Sequence, residues 1–255
     1  MISGSPYING VFSMNITVIY GSERHGSTWH IAQKFISKLA CGGEVREFYL
    51  PSALPEMCTG CGICVTQGGR YCAHRQYVEP IVKALDQADL IILASATSVY
   101  HVTGSMKNFL DHLAYRWMVH RPSPTMFTKS ALAITTAAGG GMKPTLQDMT
   151  DSLSYWGVGK IWTYGKAVRS MGWEGVPVHI KCKIDRDVAH LARKIGASGC
   201  AVVPSREIQR KFQLMRMLHK GSFLTKSDHE YWGVRGWLDG VRPWDTVDRT
   251  PEDLK

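Results

Sequence analysis

Ile16-Thr17-Val18-Ile19-Tyr20-Gly21-Ser22-Glu23-Arg24-His25-Gly26-Ser27-Thr28 decides how this chain is read. Its first five residues are apolar and largely β-branched, a composition that suits a strand. Gly21 ends the run, and Ile31, Ala32, Phe35, Ile36 and Leu39 then recur at helical spacing. A Gly- and Ser-bearing loop between strand and helix turns backbone N–H groups, hydroxyls and the positive end of a helix toward an anion. Ser22, Ser27 and Thr28 supply donors, and Arg24 supplies charge. Ser27 stands where the G-x-x-x-x-G-K-[ST] loop needs its lysine, and G-x-G-x-x-G is absent. The outer phosphates of a nucleoside triphosphate would therefore lack their usual partner. An ordinary turn with a hydroxyl capping the helix fits the same residues.

The strand–helix alternation continues outward. Val45 to Leu50 reads as a second strand, and Val78, Ile81, Val82 and Leu85 share one helical face. Leu90 to Ala94 is continuously apolar, as expected of a strand covered on both faces. The spacing predicts a helix over 103–119, a strand from Ala131 to Thr136, a helix over 144–155 and a strand from Val158 to Tyr164. Alternation of this kind implies a parallel sheet with helices on both faces, an α/β class. Beyond residue 166 the pattern loosens, with helices predicted from Asp185 to Ala197 and from Ser205 to Lys220.

Two more loops follow strand-like runs. Ser95-Ala96-Thr97-Ser98-Val99-Tyr100-His101 offers small residues that let a flat ligand approach the backbone, with Tyr100 and His101 at its border. Thr136-Ala137-Ala138-Gly139-Gly140-Gly141 carries three consecutive glycines, which cost backbone entropy unless something lies close or the loop must flex. Taken singly, each loop also fits a plain connection. Together, at consecutive strand ends, they favour one shared crevice, where open α/β sheets bind ligands.

Composition agrees with a folded chain. Of 255 residues, 44% are hydrophobic and 20% charged, which excludes a disordered or fibrous chain. No apolar run reaches the length of a membrane span. Residues 1–14 lack a basic start and a long apolar stretch, and read as a leader ahead of Met14 rather than a secretory signal. With seven cysteines, an odd number, a reducing, cytoplasmic setting is expected. The net charge of +9 is uneven: residues 1–128 carry ten Lys and Arg against eight Asp and Glu, and residues 129–255 carry twenty against thirteen.

The loop GSERHGST, the stretch from Ser95 that ends in GSMKNFLDH, and TTAAGGG together resemble the flavodoxin-like NAD(P)H-dependent FMN reductase family over roughly residues 15–165. The resemblance implies a doubly wound five-stranded parallel sheet of order 2-1-3-4-5, with FMN at the strand ends. It places the FMN phosphate on Ser22, Arg24, Ser27 and Thr28. The isoalloxazine would lie along Ala96, Thr97, Ser98 and Val99, and along Thr136, Ala137, Ala138, Gly139 and Gly140, with Ser95, Tyr100 and His101 as further cofactor-binding candidates beside it. Many relatives have Pro where this chain has Ala96 and Asn where it has Ser27. The expected division is a leader (1–14), a flavin domain (15–166) and a helical or irregular C-terminal extension (167–255) packed on the core or on a dimer mate.

Cys58-x2-Cys61-x2-Cys64-x7-Cys72 is compact. Thiolates two residues apart can converge on a cubane iron–sulfur cluster. The run also resembles the cysteines of iron–sulfur flavoproteins, a branch of the same superfamily. Zinc, or free thiols without a metal, fits the same four residues. Cys41, Cys182 and Cys200 are isolated. Arg206, Arg210, Lys211, Arg216 and Lys220 make the last helix basic, with Ile208, Phe212, Met215 and Leu218 along one face. Docking on the chain's own body or a dimer mate is the expectation; an anionic membrane surface is the alternative. No nucleic-acid-binding motif is present. The expected function is FMN-dependent oxidoreduction, with NAD(P)H as donor and a small acceptor such as a quinone or flavin. The alternative is an iron–sulfur flavoprotein passing electrons between protein partners, with the four cysteines as cluster ligands.

Overall fold

The computed structural model describes residues 7–8, 11–221 and 225–245. Five parallel strands form one sheet: β1 (Ile16–Tyr20), β2 (Val45–Tyr49), β3 (Leu90–Ala94), β4 (Ser130–Ala137) and β5 (Lys160–Ala167). Their order is 2-1-3-4-5, the doubly wound arrangement that the family resemblance implies. Inner strands β1 and β3 are buried along their whole length, whereas edge strands β2 and β5 are mostly half-buried. Much of the expected leader lies outside the described residues. Its described part includes a short antiparallel pair, Tyr7–Ile8 with Val11–Phe12.

Alternation along the strands divides the core in two. Ile16, Val18 and Tyr20 of β1 join Leu90, Ile92 and Ala94 of β3 on one face. Ile19, Ile91 and Leu93 point to the other. The first face is covered by α1 (Ser27–Leu39), the second by α3 (Arg75–Gln87), α4 (Gly104–His112) and α5 (Met142–Tyr155). A one-turn helix, α2 (Ile63–Thr66), sits within the cysteine loop.

The helix expected over 103–119 ends at His112. Apolar spacing continues past that point, but Met118 packs in a different cluster, so the chain turns while its periodicity persists. Arg116 lies in that turn, buried, and pairs with Asp86 through both carboxylate oxygens.

Helix α6 (Val178–Gly196) starts a full two turns earlier than its pattern suggested. Ile180, Ile184, Val188, Ala192 and Ile195 bury one face against α1, inside the sheet's own core. Two further helices, α7 (Arg206–Lys220) and α8 (Lys226–Val234), build a separate aromatic cluster. There Ile208, Phe212 and Met215 of α7 meet Trp232, Trp237, Met118 and Phe127. The apolar face of the basic helix is thus covered by its own chain. Among the described residues, no helix is long and apolar enough to cross a membrane.

Candidate functional site

The three loops meet in one cleft at the carboxyl ends of the strands. Its volume is about 290 Å3, at the lower edge of the ~300–1,000 Å3 typical of small-molecule sites. Ser22, Arg24, Ser27 and Thr28 line it from the first loop, Ala96 and Thr97 from the second, and Thr136, Ala137 and Ala138 from the third. Hydroxyl contacts knit them together: Thr28 Oγ1 lies 2.7 Å from Thr136 Oγ1, and Thr97 Oγ1 lies 3.1 Å from Thr135 Oγ1. The backbone is drawn equally tight. Thr103 Oγ1 donates to Gly21 O at 2.6 Å, and a Cβ at Gly21 would lie 2.5 Å from that oxygen, so no side chain fits there.

Helix α1 opens on Gly26, which provides no side-chain cap. The first-turn N–H groups of a helix need outside acceptors, and the residues at this helix start, Gly26, Ser27, Thr28 and Trp29, line the cleft. An anionic phosphate fits that need, and Arg24 adds positive charge. The Arg24 guanidinium donates to Met171 O at 2.6 Å, which ties the first loop to the segment after β5. Sequence reading missed Val168, Ser170 and Met171, which complete this wall, and Tyr20 and Trp29, which add aromatic surface. Burial, then a 2.7 Å hydrogen bond donated to Glu47 Oε1, pushes the Tyr20 phenol well above its ordinary range. Tyr20 therefore stays protonated.

Not every expected residue lines the cleft. Ser95 is fully buried, and its hydroxyl accepts the Thr103 N–H at 3.0 Å, a structural role. Ser98 and His101 close a tight turn by exchanging backbone hydrogen bonds of 2.8 and 3.0 Å. Within it Val99 and Tyr100 hold φ of 47° and 68°, a conformation costly for such side chains. Both are exposed. Asp148 fixes the turn, accepting the Val102 N–H at 3.1 Å and facing His101 Nδ1 at 3.0 Å. Gly139 and Gly140 are exposed in the third loop, outside the lining. A larger but more open hollow, about 560 Å3, lies between Tyr164 and His190 and includes none of the three loops.

The cysteine loop is a second constellation. Burial raises the Cys64 thiol, and its neighbours Cys72, Cys58 and Cys61 raise it further, in that order. Two side chains from elsewhere hold the loop. Asn108 of α4 accepts the Cys58 N–H and donates to Glu56 O, both at 2.8 Å. Arg121 donates to Cys64 O at 2.6 Å and Val65 O at 2.8 Å. Arg121 is itself held by Asp228 of α8, a fully buried carboxylate that also lies 3.0 Å from His120 Nδ1. Asn108 lies within GSMKNFLDH, but nothing local to the sequence pairs it with the cysteines. Arg121 and Asp228 carry no local signal at all.

A family model described as NADPH-dependent FMN reductase matches residues 14–169, more than half of the chain. The chain belongs to the NADPH-dependent FMN reductase family. It is accordingly an FMN-dependent oxidoreductase, and the matched span contains the three loops, the cysteine run and the cleft lining except Ser170 and Met171. An iron–sulfur flavoprotein from Archaeoglobus fulgidus is 27% identical over 232 residues, covering 88% of this chain and all of that protein. Among solved structures, an FMN-dependent NADH-azoreductase from Bacillus anthracis str. Ames Ancestor in complex with FMN aligns with TM-score 0.52 and 10% identity, over 70% of this chain and 99% of that one. An NADH:FMN oxidoreductase in its apo form aligns with TM-score 0.52 and 18% identity, over 74% and 95%. At such identities these two structures share the fold with this family member.

Proposed function

We propose that the strand-end cleft holds FMN, that NAD(P)H is the electron donor, and that a small acceptor such as a quinone or free flavin takes the electrons. The observation that carries this reading is the meeting of three expected loops in one cleft beside the uncapped start of α1. FMN bound there supplies hydride acceptance and onward electron transfer. The chain's own residues bind and orient. Ser22, Ser27, Thr28 and Arg24 with the first-turn amides hold a phosphate. Ala96, Thr97, Ala137 and Ala138 leave room for a flat ring, and the Ser98–His101 turn stands at the rim. No side chain in the cleft is assigned as acid or base.

A second element of the proposal concerns the four cysteines. The compact spacing of the four cysteines, and the similarity to an iron–sulfur flavoprotein across almost the whole chain, support a [4Fe–4S] cluster on Cys58, Cys61, Cys64 and Cys72. Such a cluster would pass single electrons to a redox partner. Pairing of two copies is part of the same reading, and sedimentation velocity tests it.

Protein purified without oxygen should be yellow, release FMN on denaturation and lose its flavin colour when NADPH or NADH is added anaerobically. Colourless protein that takes up no added FMN would overturn the cleft assignment. Iron analysis should return about four irons per chain; iron-free protein prepared anaerobically would remove the cluster and leave the flavin reading intact.

A further inference from the structure

Cys72, His74 and His112 bring one ligand atom each within 4.8 Å of one another. Neither the flavin cleft nor the four-cysteine set uses the two histidines. His112 is 3% exposed at the end of α4, and His74 is the residue on which α3 opens. Both therefore stand on well-anchored backbone.

Their protonation follows from their partners. His112 Nδ1 lies 2.9 Å from Asn108 O, one turn earlier. A carbonyl only accepts, so Nδ1 carries the proton and Nε2 a lone pair. His74 Nδ1 lies 2.9 Å from that Nε2 and must donate to it. A ring N–H given to a backbone carbonyl is the outer contact that metal-bound histidines make to fix tautomer and ring plane. The opposite nitrogen of His112 is then aimed at a point it shares with a second imidazole and a thiol. Imidazole with thiolate suits zinc-class divalent ions. Zn–N bonds of about 2.0–2.1 Å put two nitrogens about 3.3 Å apart, so loading parts the nitrogens by a few tenths of an ångström and turns the two rings, now nearly end to end with centroids 5.2 Å apart, until both lone pairs point at the ion.

We propose that Cys72, His74 and His112 form a mononuclear site for a zinc-class divalent ion, its fourth position open to water. On loading, the ion takes the place of the proton between the rings; that proton moves to the other nitrogen of His74, and the Cys72 thiol releases one proton to solvent. Because Cys72 is also one of the four loop thiols, this ion and a four-thiolate cluster exclude each other within one chain.

The test uses the full-length C58S/C61S/C64S variant, which cannot hold a four-cysteine cluster, so the outcome is independent of that reading. Reduced, chelator-stripped protein is titrated anaerobically with Co2+ alone and then with Zn2+. One Co2+ per chain should bind with the intense visible bands of a four-coordinate site and a thiolate charge-transfer band, and Zn2+ should displace it. Adding H112Q should weaken binding beyond the ~10–100-fold that loss of an outer contact costs, and adding C72S should abolish the charge-transfer band. If the triple variant does not fold by circular dichroism, C61S, at an exposed position, replaces it as the background. Binding that survives H112Q unchanged, or that is lost once the other loop cysteines are replaced in a folded chain, would overturn the site.

Discussion

The contact between α8 and the cysteine loop yields a quantitative expectation. Asp228 is fully buried and Arg121 is 12% exposed at its side chain. Breaking a buried pair by neutralising one member costs about 3–5 kcal/mol, because the other charge is left without its counter-ion. Asp228→Asn keeps an oxygen that still accepts one hydrogen bond, which places its cost near the lower end, about 3 kcal/mol. For a chain of this size that corresponds to a fall in melting temperature of about 6–12 °C. Arg121→Met should cost a similar amount and in addition release the carbonyls of Cys64 and Val65. The two variants act on one network, so the double mutant should be less destabilised than the sum by more than ~0.5 kcal/mol. Thermal melts by circular dichroism give the energies, and hydrogen exchange over residues 63–67 reports the loop. Asp228→Asn melting within about 2 °C of the parent, or a strictly additive double mutant, would refute the coupling.

Three further expectations concern the cleft and the C-terminal cluster. Arg24→Ala removes a charged donor beside the proposed phosphate position; losing about 1.5–3 kcal/mol should weaken FMN binding about 10–100-fold by equilibrium dialysis, and an unchanged Kd would take Arg24 out of that contact. Gly141 holds φ of 87°, and a Cβ there would come within 2.8 Å of the Tyr100 ring; Gly141→Ala should cost about 1–2 kcal/mol in denaturant unfolding, and a neutral result would show that the rim turn yields freely. Burial draws His219 down to about 4, against Asp228, which raises it, and His229 and His120, which lower it further. Its folded value lies below the unfolded value near 6.5, so below pH 6.5 the unfolded chain takes up a proton that the folded chain refuses. Stability should then be flat above pH 6.5 and fall by up to about 3 kcal/mol on acidification to pH 4. His219→Phe should lose that part of the acid sensitivity; parent and variant melts that fall in parallel from pH 7 to pH 4.5 would exclude it.

Much of the site could be read from short-range pattern. A β-rich run ending in Gly21, followed by a helical repeat, places Ser22, Ser27 and Thr28 at a strand's carboxyl end. The continuous apolar run Leu90–Ala94 marks an inner strand because nothing on it faces water. Pattern failed where two clusters shared one periodicity, as at Met118, and where lysines interrupted a buried face, as at the start of α6.

The order of elements, the positions of the three loops and the spacing of the four cysteines are written in local residue type, because strand and helix periods and turn residues act over a few positions. The tertiary structure alone decided what completes each site. Met171 closes the cleft on Arg24 from 147 positions away, and Asp228 holds Arg121, which holds Cys64. Asn108 fixes Cys58, and His112 turns its free nitrogen toward His74. Such contacts form only when distant helices pack on a common sheet, and the polar groups they satisfy leave no periodic trace in the chain.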